Sequence, residues 1–473
     1  MRIAHLASAV VVLLLAACAV NPATGHKELS LVSEAQEVEM GRQGATETLR
    51  ALQLIPDSSV QQYVRSVAMN LVGVAERPNL PWNFFVLDDA AVNAFAYPGG
   101  FIFITRGILT HMNSEAELAG VLGHEIGHVT ARHTASQITK SQMAQAGLVV
   151  GSIISPTIRD LAGTASQGLG LLFLKFGRDA EYQADELGFR YMTKRSYDPR
   201  AMSSMFTMLQ RQSGMGGGGR LPEWQSTHPD PENRVMRNDT RVASFAGRPD
   251  TMKLDRDRFI RTLDGMVFGE DPRQGYFAEN AFLHPELRFR IAFPPGWRGQ
   301  NQPASVSAIS PNQDAIIGLS LAEATSPAEA LRTFLGQQGI QPGGTSMNAV
   351  NGLAAATGEF TAQTQQGNIQ GAVQYVQYER RLYQILAYTI PEKIQQYAPA
   401  FRQVLGSFAQ LTDPAALNRQ PMRLKLVRLP RDMTLDAFNR ANPSAIPLAY
   451  LAVINGVEPA AMLKAGSWVK QVK

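Results

Sequence analysis

Residues 114 to 130 read SEAELAGVLGHEIGHVT, and this stretch decides the fold of the surrounding chain. Ser114 is followed three residues later by Glu117, which is the spacing of a capping box. We therefore expect a helix to begin here and to continue to about Lys140. Strands are expected on the N-terminal side, at 82–87 and at 100–105.

The HEIGH sequence inside this helix has the spacing of a metal site. His124 and His128 are four residues apart, so they lie on one helix face, one turn from each other. Two imidazoles in this arrangement can bind one zinc ion, and Glu125 projects beside them toward a metal-bound water. Gly123 and Gly127 leave a smooth stripe next to the ligands, although each costs about 1 kcal/mol relative to alanine in a helix. A solvated pair of helix histidines is the alternative interpretation.

A third ligand is expected because catalytic zinc sites use three protein ligands and keep one open position. Residues 179–185, DAEYQAD, fall in a helix predicted from about Arg178 to Thr193. Glu181 and Asp185 share one face of it. Glu181 can reach the metal while Asp185 accepts a hydrogen bond from the free N–H of a ligand histidine. Taken alone, the same residues are typical of the charged face of an amphipathic helix.

The N-terminus has the features of an export signal. Arg2 precedes an apolar run from Leu6 to Ala17, which is shorter than the roughly 20 residues of a membrane-spanning helix. The run ends at Cys18 in a sequence that resembles the bacterial lipobox, so we expect lipidation of Cys18 and a periplasmic, lipid-anchored protein. Ala19 follows instead of Asp, which favours the outer membrane. An ordinary secretory peptide with an incidental cysteine is the alternative.

The composition limits the possible chemistry. The chain has 473 residues and one cysteine, so no disulfide can form within it, and lipidation of Cys18 would leave no thiol. A metal must then be held by histidine and carboxylate. With 45% hydrophobic and 18% charged residues the chain is globular, and its net charge of +4 is too small to indicate nucleic acid as a partner.

The chain divides into several predicted parts. The C-terminal parts show strand-like alternation, as at 287–293, interleaved with helical runs. Apolar helices are expected within 143–176, and the glycine run 214–219 is expected to be mobile. The predicted boundaries are a signal peptide at 1–17, a tether at 18–30, a metal-bearing domain at 31–245, a linker with a helix at 246–280, a small α+β domain at 281–412 and a basic segment at 423–473.

The two C-terminal parts each resemble a known type of domain. The α+β domain weakly resembles PsbP-like domains of exported proteins and shows no catalytic constellation. In the basic segment, the Ile454-Asn455-Gly456 step and the Ala465-Gly466-Ser467 turn into a final strand are similar to LysM modules. That similarity implies a βααβ-type fold and peptidoglycan as a partner. A simple basic packing domain is the alternative.

Four short motifs, in order, carry a family resemblance that covers about residues 31–244. Together they resemble the HtpX and CAAX-prenyl-endopeptidase family of gluzincin metalloproteases, and most closely its exported, BepA-like branch. The resemblance implies a mainly helical zincin-type peptidase domain within an α+β multidomain chain. The motifs are Asn93-Ala94-Phe95 with Pro98-Gly99-Gly100, the HExxH, Glu181 with Ala184 and Asp185, and Ser226-Thr227-His228-Pro229.

The resemblance also implies roles for individual residues. It implies one zinc ion per chain held by His124, His128 and Glu181, with Glu125 as general base. Asn93, Ala94 and Phe95 would contact substrate. The family usually has Ser-Arg before the ligand Glu, whereas this chain has Gly177-Arg178, which leaves a helix cap in doubt.

His228 and Arg234 match a His and an Arg that face the zinc and stabilise the oxyanion in the family. In the BepA-like branch this His can instead bind the fourth zinc position and switch the enzyme off. A helix-capping His before Pro229 is a further interpretation. The other histidines, including His133, are assigned structural or surface roles.

The combined prediction is an outer-membrane-anchored, periplasmic zinc endopeptidase that cleaves unfolded or misassembled envelope proteins. The strand at 100–105 is expected to offer an edge with which an extended peptide can pair. One alternative is a chaperone or assembly factor for β-barrel precursors whose zinc is locked by His228. Another is a peptidoglycan-binding scaffold.

Overall fold

The computed structural model describes residues 18–25, 27–145, 176–214, 228, 231–302, 305–364 and 367–473. The predicted signal peptide, most of the predicted apolar helices at 143–176, and residues 215–219 of the glycine run lie outside the described residues. Internal contacts divide the chain into two units. Unit 1 comprises Met1–Gly269 and Met422–Lys473, so the basic C-terminal segment belongs to the same unit as the HEIGH sequence. Unit 2 is Glu270–Pro421 and begins before the predicted boundary at 281.

The α-helices agree with much of the predicted pattern. Ser33 caps the first one through a capping box with Gln36, as its spacing indicates. No helix in the described part of the chain combines the length and apolar character that a bilayer-spanning segment needs. In chain order the α-helices are α1 (Glu34–Ala51), α2 (Ser58–Val72), α3 (Arg106–His111), α4 (Glu115–Thr130), α5 (His133–Gln145), α6 (Arg178–Lys194), α7 (Arg200–Gly214), α8 (Pro231–Ser244), α9 (Arg256–Arg261), α10 (Pro327–Leu335), α11 (Ile394–Leu405), α12 (Pro414–Leu417), α13 (Leu435–Ala441) and α14 (Leu448–Asn455).

The strands are mostly short in unit 1 and longer in unit 2. In chain order they are β1 (Cys18–Val20), β2 (Lys27–Leu29), β3 (Asn83–Leu87), β4 (Ala94–Tyr97), β5 (Phe101–Thr105), β6 (Tyr276–Ala278), β7 (Ala281–His284), β8 (Phe289–Ala292), β9 (Arg298–Gln302), β10 (Ser305–Ile309), β11 (Ala315–Ala322), β12 (Ile340–Ser346), β13 (Ala355–Thr364), β14 (Gly367–Tyr378), β15 (Arg381–Thr389), β16 (Ala409–Gln410), β17 (Leu424–Arg428), β18 (Met433–Thr434), β19 (Met462–Leu463) and β20 (Trp468–Val472).

Helix α4 is the central element of unit 1, and every one of its residues is buried. Ser114 caps it by accepting a hydrogen bond from the Glu117 N–H at 3.1 Å. The Glu117 carboxylate accepts from the Asn113 N–H at 2.6 Å, one residue before the cap. Both bonds satisfy N–H groups at the start of the helix, which fixes its first turn.

Helix α4 ends at Thr130, so the prediction of one helix to about Lys140 is wrong. The chain turns at Arg132, whose φ of 60° is in the left-handed region, and α5 begins at the next residue. The Arg132 side chain donates to the Val32 carbonyl at 2.6 Å and also pairs with the Glu37 carboxylate. These contacts hold a backbone conformation that is uncommon for a residue other than glycine.

The sheet of unit 1 has the order β3-β5-β4. β5 is therefore the central strand, parallel to β3 and antiparallel to β4. The prediction that residues 100–105 offer a free edge is wrong, because both edges of β5 are already paired. β4 pairs only with β5 among the described strands, and it packs against α4. The edge nearest the HEIGH helix is thus β4.

Glycines let α4 lie very close to α6. A Cβ added to Gly123 would be 3.1 Å from Gly188 Cα, and one added to Gly188 would be 3.0 Å from the His124 nitrogen. At Gly127 an added Cβ would be 3.0 Å from the Ala184 carbonyl oxygen. The neighbours in each case are backbone atoms of the facing helix, which cannot rotate away. The smooth stripe expected from Gly123 and Gly127 is therefore the contact surface for α6.

The C-terminal segment of unit 1 has the order β17, β18, α13, α14, β19, β20, in which β17 pairs with β20 and β18 with β19, both antiparallel. Its Leu435 and Phe438 belong to the same hydrophobic cluster as the core of α4. Lys470 is fully buried and its ammonium donates to the carbonyls of Thr110 at 3.0 Å and Ile454 at 2.7 Å. The segment is therefore integral to unit 1. Its identity as a LysM module stays a prediction.

Unit 2 is built on a seven-stranded antiparallel sheet of order β12-β13-β14-β15-β11-β10-β9, with a smaller sheet of order β16-β8-β7-β6. Successive residues of β14 point to opposite faces. Val373 packs in one cluster with Leu331 of α10, while Val376 packs in another with Phe401 of α11. The two helices thus cover opposite faces of the large sheet.

The glycine contact between α4 and α6 leads to a stability prediction. Gly123→Ala should lower the free energy of unfolding by about 1–3 kcal/mol, because its methyl group meets backbone atoms that cannot give way. Gly120→Ala on the same helix is the control, since there the nearest neighbour is the flexible Met202 side chain at 3.2 Å. Urea denaturation of the metal-free protein measures both. Equal stability of the two variants would contradict the assigned contact.

Candidate metal centre

Four side chains converge at the middle of unit 1. One ligand atom from each of His124, His128, Glu181 and His228 lies within 4.8 Å of the others, and all four residues are buried. The Nε2 atoms of the two α4 histidines are 3.0 Å apart. Glu181 Oε2 is 3.5 Å from His124 Nε2, and its Oε1 is 3.4 Å from His128 Nε2. The structure therefore brings together the three predicted ligands and adds His228 to them.

Asp185 and Arg234 hold His124 in place from behind. Asp185 Oδ1 is 2.9 Å from His124 Nδ1. Arg234 donates to the two oxygens of Asp185, at 2.8 Å from Nε and 2.7 Å from Nη2. Its guanidinium also lies over the Phe206 ring, 4.3 Å from the centroid. Arg234 thus contacts a carboxylate beside the ligands, and its Nη1 is 3.4 Å from Glu181 Oε2.

The charge state of this group follows from its surroundings. Burial raises the pKa of Asp185, but the charge of Arg234 and the hydrogen bonds from His124 and Arg234 together outweigh burial and lower that pKa to about 2, so the carboxylate is ionised. Burial, together with the charge of Arg234, lowers the pKa of His124 to about 3, so its ring is neutral. An ionised carboxylate can only accept hydrogen bonds. His124 Nδ1 therefore carries the proton, and its Nε2 carries a lone pair.

This arrangement fits a bound cation. The Nε2 lone pair of His124 faces Glu181, which is also ionised. Burial raises the pKa of Glu181, but the positive charge of His228 and the close contacts with His128 and His228 take it well below its usual range. A lone pair and a carboxylate oxygen at 3.5 Å repel each other unless a cation lies between them. Two imidazoles and a Glu carboxylate are a zinc donor set.

Glu125 projects from α4 beside the four converging side chains. Burial raises the pKa of its carboxyl group, and His228 opposes that effect. Oε1 is buried and has no hydrogen-bond partner among the residues that the structure describes. His228 Nε2 lies 3.7 Å from it. A buried carboxylate oxygen of this kind is positioned to accept a proton from a molecule that enters the site.

His228 lies between two carboxylates. Its Nδ1 is 3.1 Å from each oxygen of Glu181 and 3.2 Å from His124 Nε2. Burial lowers the pKa of His228, but the Glu181 and Glu125 carboxylates together outweigh burial and raise it above the usual range. The interpretation of His228 as a helix-capping residue is thus less consistent with its surroundings than a role at the centre. The neighbouring motif residues 226, 227 and 229 lie outside the described residues.

The sequence analysis missed His133. It assigned this residue a structural or surface role because it lies off the ligand face of the predicted long helix. Because α4 ends at Thr130 and the chain turns at Arg132, the His133 ring contacts His128, with 2.9 Å between the two Nδ1 atoms. His133 Nε2 is 2.8 Å from Gln183 Oε1 on α6. The contact between His128 and His133 could have been predicted only by recognising that the helix ends at Thr130. No Gly or Pro in the sequence indicates that end.

Asn93, Ala94 and Phe95 lie at and just before the start of β4. Ala94 is buried, and the Phe95 ring stacks on Phe103 with 5.1 Å between centroids. The Asn93 N–H donates to Thr105 Oγ1 at 3.2 Å. The structure places this motif on the edge strand that packs against α4. Contact with substrate stays a prediction.

The geometry has a counterpart among known proteins. Residues 58–242 match the model of peptidase family M48. The matched region contains α4, α6, His228 and Arg234. It supports the prediction of a metalloendopeptidase, whereas the narrower assignment to the HtpX and CAAX-prenyl-endopeptidase group stays a prediction.

Curated relatives match part of this chain. The beta-barrel assembly-enhancing protease of Escherichia coli (strain K12) is 31% identical over 254 residues, 51% of this chain and 51% of that protein. The mitochondrial metalloendopeptidase OMA1 of Arabidopsis thaliana is 34% identical over 185 residues, 38% of this chain and 36% of that protein. The chain thus spans about half the length, or less, of these curated relatives. Their names and the family match support a zinc metalloendopeptidase.

Solved structures match part of this chain only loosely. Cyanobacterial PsbP (CyanoP) from Synechocystis sp. PCC 6803 aligns with 28% of this chain and 91% of that chain, at 12% identity and a TM-score of 0.24. A similarity at this TM-score supports no inference about fold. The PsbP-like interpretation of 281–412 therefore stays a prediction.

Proposed function

We propose that this chain is a zinc-dependent endopeptidase that cleaves unfolded or misassembled proteins of the cell envelope. The observation that carries the proposal is the buried cluster of two α4 histidines and Glu181, backed by Asp185 and Arg234. In this proposal His124, His128 and Glu181 hold one zinc ion per chain. A zinc ion in such a site polarises the scissile carbonyl and lowers the pKa of a bound water.

The other residues of the centre would move protons and stabilise charge. Glu125 is the proposed general base, which takes a proton from water and passes it to the leaving amine. Its raised pKa supports this role, because a base works best when its pKa approaches the working pH. Arg234 would hold Asp185 through its two hydrogen bonds to that carboxylate, and its Nη1, 3.4 Å from Glu181 Oε2, lies close to the proposed ligands. His228 is the residue placed to meet a developing oxyanion or to block the site.

The edge strand β4 supports an extended polypeptide as substrate. An extended peptide that adds to this edge would pair through its main chain and would lie on the strand that packs against α4, the helix that carries Glu125. Main-chain pairing uses backbone hydrogen bonds and depends little on side-chain identity, so it would allow many different unfolded polypeptides to bind. Folded proteins, whose strands are already paired, would be excluded.

The first prediction separates the base from the ligands. Glu125→Gln should abolish casein cleavage and retain about one zinc per chain, because Glu125 is not a ligand. Glu181→Gln, which is nearly isosteric, should lose both activity and zinc because a neutral amide is a poor zinc ligand. Zinc is measured by elemental analysis after dialysis. Activity in Glu125→Gln would refute the mechanism, and wild-type zinc content in Glu181→Gln would refute the third ligand.

The same Glu125→Gln variant tests the alternative functions. A chaperone for β-barrel precursors would keep its holding activity when the base is removed, and so would a peptidoglycan-binding scaffold. The name of the Escherichia coli relative favours the chaperone class as the second candidate, since it combines assembly enhancement with proteolysis. Full prevention of substrate aggregation by a proteolytically inactive variant would favour that class over quality-control proteolysis.

The second prediction concerns His228. Its Nδ1 lies beside His124 and Glu181, which favours a locked state in which the imidazole occupies the fourth zinc position. If so, His228→Ala should increase general proteolysis and self-cleavage. If His228 stabilises the oxyanion instead, the same variant should lose about 100-fold in turnover. Unchanged proteolysis with wild-type zinc content would exclude both roles.

The third prediction concerns location. We propose that Cys18 is lipidated and anchors the chain to the outer membrane, facing the periplasm. Asn21, close to that residue, is buried and its amide donates to the Ala131 carbonyl at 3.2 Å, so anchoring would hold the end of α4 near the bilayer surface. Cys18→Ser should release the protein from membranes, whereas Ala19→Ser should not. Retention of Cys18→Ser after a salt wash would contradict lipid anchoring.

A further inference from the structure

Each α4 histidine of the metal centre has a different partner behind it. His124 donates to the ionised carboxylate of Asp185, while the Nδ1 of His128 faces the Nδ1 of His133 at 2.9 Å. His133 is only 7% exposed, and its other nitrogen is 2.8 Å from Gln183 Oε1. His128, His133 and Gln183 thus form a row of hydrogen-bonding side chains, which we call the relay. It extends from α4 through the first residue of α5 to α6.

The direction of the hydrogen bonds along the relay follows from the atoms. An amide oxygen only accepts, so His133 Nε2 must donate to Gln183 Oε1. A neutral imidazole has one N–H, so the Nδ1 of His133 presents a lone pair. The two Nε2 atoms of His124 and His128, 3.0 Å apart, belong to the converging atoms that would share a cation, whereas the Nδ1 pair lies on the far side of the His128 ring. A hydrogen bond between the two Nδ1 atoms therefore needs a proton on one of them, and that one must be His128 Nδ1. The Nε2 of His128 is then left with a lone pair that faces Glu181 and His124.

We propose that His133, oriented by Gln183, is a positioning residue that fixes the tautomer and ring orientation of His128 so that its Nε2 can bind the metal. The inference rests on the proposed zinc function, since it assigns how one ligand is prepared. It goes beyond the HExxH spacing because the residue that prepares the second histidine lies past the end of the helix. Groups behind metal-binding histidines act in this way in other metal sites.

The local fold explains why His133 can reach His128. The left-handed Arg132 turns the chain directly after α4, so α5 starts with a ring that points back at the preceding helix. Phe176 lies 4.3 Å from the His128 ring, centroid to centroid, and 5.9 Å from that of His133. The two imidazoles are thus confined by an aromatic neighbour. Gln183 shares α6 with Glu181, so one helix supplies a ligand and the end of the relay.

A purely structural role for His133 and a positioning role predict that different replacement side chains will be tolerated. If the side chain only fills space between α4 and α5, an apolar residue of similar size serves equally well. If it positions His128, the replacement must keep an acceptor where Nδ1 lies. Asn keeps one, because its Oδ1 occupies the place of Nδ1, whereas Leu does not. Gln183→Met tests the far end of the relay without touching His133 or any ligand.

The experiment measures the zinc dissociation constant of the full chain by competition with a chelator at one fixed pH. His133→Leu and Gln183→Met should bind zinc about 10- to 100-fold more weakly than wild type, and His133→Asn should stay within about 3-fold of it. The absorption spectrum of the cobalt-substituted protein should shift in His133→Leu and be restored in His133→Asn. Thermal unfolding of the metal-free proteins monitors folding.

The outcomes separate the two levels of the proposal. Wild-type protein that binds no zinc would overturn the proposed function and this inference with it. Zinc binding by wild type and His133→Leu with equal affinity would overturn the inference alone. Equal losses in His133→Asn and His133→Leu, with unchanged thermal unfolding, would also overturn it, because the acceptor would then not matter. If His133→Leu fails to fold, weakened zinc binding by folded Gln183→Met supports the relay and unchanged binding overturns it.

Discussion

Helices α4 and α6 meet where both carry glycine, so that a Cβ on Gly123 would lie 3.1 Å from Gly188 Cα. Larger residues would hold the helices farther apart, and the α6 carboxylates would then miss the α4 histidines. Glu181 and Asp185 reach two different nitrogens of His124 only because the helix axes are this close. Gly123 and Gly127 weaken the helix locally, and the site uses the space that they free.

The buried charges at this contact explain why the cluster fits a divalent ion. Glu125, Glu181 and Asp185 would contribute three negative charges if all were ionised, while Arg234 contributes one positive charge. The difference is two negative charges when His228 is neutral, which a divalent cation would balance. Buried ion pairs are stable only when their hydrogen bonds are satisfied, and the Arg234–Asp185 pair meets this condition with two bonds. In the metal-free cluster the raised pKa of His228 supplies part of the balance.

The helical part of the site was predictable because its signals are local. The caps at Ser33 and Ser114, the four-residue spacing of the histidines, and the α6 carboxylates follow from short-range patterns, and each is found in the structure. The end of α4 was not predictable, since Thr130, Ala131 and Arg132 include neither Gly nor Pro. That turn depends on distant partners of Arg132, at Val32 and Glu37, which no local pattern contains.

The prediction that residues 100–105 form a free edge was wrong for a related reason. The sequence indicates that 100–105 is a strand, but which strands flank it depends on pairing between segments far apart in the chain. The burial pattern did contain a signal, because all five residues of β5 are buried, as expected for a central strand. β4 alternates less regularly and borders α4. The missed edge and the missed His133 both adjoin α4, so local patterns identified the ligands better than their surroundings.

The unequal partners of the two α4 histidines have a chemical consequence under the proposed function. A carboxylate behind a metal-binding imidazole makes it a stronger donor, and each added negative charge reduces the ability of the metal to polarise a carbonyl. Asp185 provides that support to His124, but Arg234 neutralises its charge through two hydrogen bonds. His128 is supported by an uncharged imidazole and an uncharged amide. Both histidines are therefore oriented by partners that add almost no net negative charge, which leaves Glu181 as the principal anionic donor and preserves the Lewis acidity that peptide cleavage requires.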